Sequence, residues 1–132
     1  MKLINIIVPY CVFVSDNFDT IHTKSGVKRH PAASKWQRDV KMLVQHQRVL
    51  GAELTPPLSL DIAITVGPLG RLPDWHNFTK RTIDAVARGL EIDDGGDNFS
   101  ISGSVKRGSP AQIELIIKEV RNDRKRKTVK CR

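Results

Sequence analysis

Leu58, Leu60, Ile62, Ile64 and Val66 alternate with Ser59, Asp61, Ala63 and Thr65. A period of two sustained over nine residues puts one row of branched apolar side chains on a single face, so the segment reads as a strand. A lone strand is not stable, and three more segments can join it. Residues 3–8, Leu-Ile-Asn-Ile-Ile-Val, form a nearly continuous apolar run stopped by Pro9, as expected of a strand covered on both faces. Residues 99–105 alternate with one polar face, and Ile-rich residues 112–120 read as their hairpin partner across the Arg107-Gly108-Ser109-Pro110 turn.

Two helices separate these strands. Pro31, with Ser34 near the start, opens the first, which runs to about Leu50 and is ended by Gly51. Trp36, Val40, Leu43, Val44, Gln47 and Leu50 recur along it at three- and four-residue steps, predicting a one-sided apolar stripe. Asp74 stands at the N-cap of the second, expected from about Trp75 to Leu90. Its apolar side is Trp75, Phe78, Thr82, Ile83, Val86 and Leu90; its other side carries His76, Asn77, Lys80, Asp84 and Arg88. Residues 15–30 show no period and read as a long basic loop. The order β-α-β-α-β-β in 132 residues predicts a single α+β domain over residues 1–120, a mixed sheet with two helices packed against it.

The formal net charge of +8 points to a polyanionic partner, but its location matters. Residues 118–132 hold eight Lys and Arg against two acidic residues, so the net +6 there leaves only +2 for the rest. Residues 121–132 are therefore expected to form a basic C-terminal tail. Aromatics, at 5%, are too sparse for an extended single-strand stacking platform. Cys11 and Cys131 lack zinc-site spacing, and a reducing, cytoplasmic compartment without a disulfide is the simpler expectation. The apolar start contains Asn5 and Pro9, lacks a small-x-small cleavage site and is too short to span a membrane, so neither secretion nor membrane insertion is expected.

Chemistry concentrates in Asp74-Trp75-His76-Asn77-Phe78-Thr79-Lys80, then Asp84 and Asp93-Asp94. Converging carboxylates hold hard divalent cations, and a nearby lysine suits a phosphate substrate. Singly, each residue has an ordinary role. Asp74 can be a cap, Asp84 an ion pair with Lys80 or Arg88, Asp93-Asp94 a solvated turn and His76 structural. Asp74 and Asp94 cannot meet along the helix itself; the following loop must fold back, or a twofold partner must supply one of them.

Together these residues resemble the signature of the RusA-like Holliday-junction resolvases, D-x-D-N-x-x-K-x-x-x-D-A-L followed about ten residues later by D-D. Asp74, Asn77, Lys80, Asp84 and Ala85 match at the family's offsets, Val86 replaces its leucine, and Asp93-Asp94 follows. Lys35-Trp36-Gln37-Arg38-Asp39-Val40 is similar to the family's first helix. The resemblance implies a homodimeric, magnesium-dependent endodeoxyribonuclease that resolves four-way DNA junctions. It makes Asp74 and Asp94 metal ligands, sets Lys80 by the scissile phosphate, and gives Asn77, Asp84 and Asp93 supporting roles. His76 stands where the family carries its second aspartate, an imidazole that suits manganese better than magnesium. Lys24, Lys28, Arg29, Arg38, Lys41, Arg71 and Lys106 are candidates for sequence-independent phosphate contacts. Two other readings remain: a catalytically weakened or inactive branched-DNA-binding protein, and a structural subunit without a nucleic-acid role.

Overall fold

The computed structural model describes residues 3–15, 18, 20–93, 95 and 98–120. The fold is α+β, with β1 (Leu3–Pro9), a 3₁₀ turn (Val12–Val14), β2 (Thr20–Thr23), β3 (Gly26–Arg29), α1 (Pro31–Val49), β4 (Leu58–Val66), a second 3₁₀ turn (Trp75–Phe78), α2 (Thr79–Leu90), β5 (Phe99–Arg107) and β6 (Gln112–Glu119). Four strands form one mixed sheet in the order β1-β6-β4-β5, with β4 and β5 parallel and the other pairs antiparallel.

The register lines up apolar rows across the sheet. Ile4, Ile117, Leu60 and Ile101 make one; Ile6, Leu115, Ile62 and Gly103 the next; Val8, Ile113, Ile64 and Val105 the third. The β1, β6 and β4 members are all buried, and Trp36, Val40 and Val44 of α1 and Val86 and Leu90 of α2 join them in one core. Both helices thus cover one face of the sheet, as the alternation of β4 requires.

Several sequence expectations change. The segment at residues 3–8 is not covered on both faces: Leu3 and Ile7 are exposed, because both helices pack on the opposite face of the sheet, against Ile4, Ile6 and Val8. Residues 112–120 do not form a hairpin with β5. Instead the turn after β5 crosses the end of β4, where the Gly108 N–H donates to the Val66 carbonyl at 3.0 Å, and β6 enters between β4 and β1. The fully apolar row of β6 belongs in the sheet interior, while the polar alternation of β5 suits an edge. The expected 15–30 loop contains the antiparallel β2–β3 pair, with Gly26 at φ +119 in its turn.

The buried stripe of α1 is also rotated. Ala33, Trp36, Gln37, Val40 and Val44 are inside, whereas Leu43 and Leu50 are exposed. The cause is the close approach of α2. A Cβ on Gly89 would lie 2.7 Å from the Val44 Cβ and 2.9 Å from the Lys41 carbonyl oxygen, so only glycine lets the helices meet there. The cap of α1 is His30, whose Nδ1 accepts from the Ala32 N–H at 3.0 Å.

Candidate functional site

β4 ends at Val66, and a loop carries the chain to Asp74. Two bonds hold that loop: the Gly70 N–H donates to the Gly67 carbonyl, and Arg107 Nε donates to the Gly70 carbonyl at 2.8 Å. The expected single helix is divided, because Asp74 starts a 3₁₀ turn before α2 begins at Thr79. Asp74 Oδ1 accepts from the His76 N–H at 3.0 Å and lies 2.8 Å from His76 Nδ1. The His76 ring stacks on Trp75 at 3.9 Å between centroids, and Trp75 packs against Gly103 of β5. Phe78 is fully buried and anchors the turn.

The His76 side chain, and next its backbone N–H, hold the Asp74 carboxyl below its ordinary range. The group therefore stays ionised as pH falls through the ordinary carboxylate range, and its charge is lost only below its lowered native pKa. In His76→Phe the side-chain bond is absent, so the Asp74 titration followed by carboxyl NMR should move up toward the ordinary value. An unmoved titration would assign the lowering to the backbone bond instead.

Lys80 is exposed in the first turn of α2. Asp84, one turn further, faces α1 rather than Asp74. Its Oδ2 accepts from Gln37 Nε2 at 3.2 Å, and its Oδ1 lies 3.3 Å from Arg88 Nε. Gln37, 7% exposed, also donates to the Arg81 carbonyl at 2.9 Å and accepts from Arg29 Nη1 at 2.6 Å. This network ties β3, α1 and α2 together.

Around it lies a cleft of about 280 Å³ whose wall includes Arg29, Arg38, Lys41, Arg88 and Asp84. Four cations face one carboxylate, a setting suited to phosphate oxygens. Arg29, Arg38 and Lys41 were expected among the phosphate contacts; Arg88 was not, although its place eight residues after Lys80 puts it on the same side of α2. Lys24 and Lys28 are exposed on the β2–β3 unit, Arg71 on the loop before Asp74 and Lys106 near the end of β5.

Asn77 and Asp74 line a separate cavity of about 430 Å³ at the end of β4. Tyr10, Phe18 and Val66 also line it, and sequence reasoning missed all three. Asp93 is exposed and engaged locally: its Oδ1 accepts from the Gly95 N–H at 3.1 Å, and its carbonyl accepts from Asn98 Nδ2 at 2.8 Å. Asp94 and the 121–132 tail lie outside the described residues. Among the described residues no three His, Cys, Asp or Glu side chains gather as a metal site, and no helix is long and apolar enough to cross a membrane.

No protein-family model matches the chain, and no curated protein matches its sequence. Among solved structures the chain is similar to IspF from Plasmodium falciparum in its CDP complex, at 17% identity and a TM-score of 0.37. That match covers 67% of this chain and 57% of the other, so the chain spans less than two thirds of that protein's length.

Proposed function

We propose that the chain is a metal-dependent endodeoxyribonuclease that resolves four-way DNA junctions by phosphodiester hydrolysis, acting as a cytoplasmic homodimer with magnesium or manganese. The observation that carries this reading is the order of groups along the continuous stretch from Asp74 through the 3₁₀ turn into α2. An ionised carboxylate at Asp74 is followed by Lys80 and then by the cation-lined cleft at Arg88. The backbone rise from Asp74 to Lys80 is about 10 Å, and helical side chains lean toward the N-terminus, so the lysine stem can reach back toward the carboxylate.

The donors present fit a divalent cation in kind. Asp74 and His76 are adjacent and exposed, and both would hold it, with Asp94 as the remaining ligand by resemblance. A bound cation would lower the pKa of a water molecule and polarise a phosphoryl oxygen. Lys80 offsets the negative charge that builds on the phosphate oxygens, Asn77 supplies an amide beside Asp74, and the cleft holds a neighbouring phosphate. Asp84 supports the site by fixing Gln37 and Arg88. Exposed Met42 and Val49, and Leu43 and Leu50, recur seven residues apart on α1 and support self-association there.

Incubation of a synthetic four-way junction with magnesium or manganese tests the reading; paired cuts are expected, and an intact junction in both metals sinks it. His76→Asp should raise the magnesium-supported rate relative to manganese. In Arg38→Ala and Lys41→Ala, junction affinity should fall for every sequence. The slope of log affinity against log salt should shrink by about 1 per contact. A slope equal to that of the parent would remove the residue from the DNA surface. The weakened-enzyme reading is favoured by one contact, since the His76 ring occupies Asp74 Oδ1. It predicts binding without cutting.

A further inference from the structure

The cavity of about 430 Å³ beside Asp74 is distinct from the cation-lined cleft between α1 and α2. Its wall is mainly apolar, with Val66 and Leu72 from the β4 end and its loop, Phe18 from the N-terminal segment, and Tyr10 beside Phe78. Tyr10 and Phe78 form a tilted aromatic pair, with ring centroids 6.1 Å apart. Besides the Tyr10 phenol, the polar side chains lining it are Ser15, Arg71, Asp74 and Asn77. Asn77 offers an amide with both donor and acceptor, and Asp74 marks the edge shared with the proposed cutting site. Burial, then the neighbouring Cys11, pushes the Tyr10 phenol above its ordinary range, so it stays protonated and can donate. Apolar walls with a small number of polar groups describe a site for a flat heteroaromatic ring. The volume is at the lower end for small-molecule sites.

A phosphate held at Asp74 is covalently joined to two nucleosides, and this space adjoins the carboxylate. We propose that the cavity takes one unstacked nucleobase of the strand being cut, from a nucleotide flanking the scissile phosphate. The inference rests on the junction-nuclease reading for the identity of the strand. A stacked duplex keeps its bases covered, and extruding one costs a few kcal/mol, least where pairing is already broken. At the crossover of a four-way junction the strand exchange interrupts continuous stacking, so a base there is more easily extruded than in a linear duplex. The pocket therefore gives the enzyme a physical basis for favouring branched over linear DNA, and Asn77 a base edge to read.

The test uses 2-aminopurine, which brightens on unstacking, placed in turn at each nucleotide around the crossover of a junction. Binding is followed in EDTA, so no cutting is needed. Two variants accompany the parent protein. Gly67 lines the cavity, and a Cβ there meets nothing within 4 Å, so Gly67→Leu adds side-chain volume at this wall. Phe18→Ala instead removes an exposed aromatic wall. The parent should give a severalfold fluorescence rise at one position of the junction and none on a linear duplex. Gly67→Leu should return that signal to the level of free junction, and Phe18→Ala should reduce it. No rise at any position, or an equal rise in Gly67→Leu, overturns the pocket assignment even if the junction is cut with magnesium. A rise that Gly67→Leu removes upholds base capture even if no metal supports cutting, in which case the nuclease reading alone fails.

Discussion

Asp74→Asn should abolish cleavage of a four-way junction, lowering the rate by at least about a hundredfold, while the variant still binds the junction and keeps its thermal midpoint. The substitution is close to isosteric. Asparagine caps helical turns as well as aspartate does, so its amide oxygen can still accept from the His76 N–H that Asp74 Oδ1 accepts from here. What disappears is the negative charge. Loss of cutting with unchanged folding would assign the carboxylate to chemistry. If Asp74 faces DNA as proposed, removing its negative charge should tighten binding. The decisive measurements are a cleavage time course, a gel shift in EDTA and a melting curve on the same preparation. A variant that cuts at the parent rate would remove Asp74 from the active site; one that fails to fold would make it a structural cap.

Gly103→Val carries the other large effect, and it acts from the opposite strand. Valine favours strands, so local propensity alone would predict a gain. The packing predicts the reverse. A Cβ at residue 103 would sit 2.2 Å from Trp75 Cδ2 and 2.4 Å from Cε3, so the indole must move. Overpacking of this kind costs about 1–3 kcal/mol. Trp75 stacks on His76 and is joined to Asp74, so its displacement also shifts the acidic turn, and cleavage should fall with stability. Ser104→Val, on the exposed side of the same strand, is the control and should stay within about 0.5 kcal/mol. Equal urea midpoints for the two variants would dismiss the Gly103–Trp75 contact as a positioning device.

The contrast between those two glycine and aspartate positions shows what was legible beforehand. The strand at β4, the first helix and most of the second follow from local period, and Asp74 caps the 3₁₀ turn that leads into the second helix. Partners distant in sequence were not readable. Nothing local says that β6 skips β5 to lie between β4 and β1, or that Asp84 bonds Gln37, 47 residues away. The stripe on α1 was misplaced because Leu43 and Leu50 fit a helical period, while the face actually covered depends on where α2 approaches through Gly89. The cavity beside Asp74 joins Tyr10 and Phe18 to residues beyond 65, a proximity created only by the sheet.

The position of β6 has a consequence for how the chain is made. β1 is made before the other described strands, yet its neighbour in the sheet, β6, is made after them. At typical synthesis rates the interval is on the order of 10 s, during which Ile4, Ile6 and Val8 have no strand to pair with. β4 and β5 can associate through α2 as soon as they are made, but the sheet remains in two pieces until β6 slots between them. The sheet is therefore completed only when β6 is available. A nascent chain stalled before Gln112 should present an open β4 edge and an orphaned first strand to chaperones rather than a smaller version of the fold.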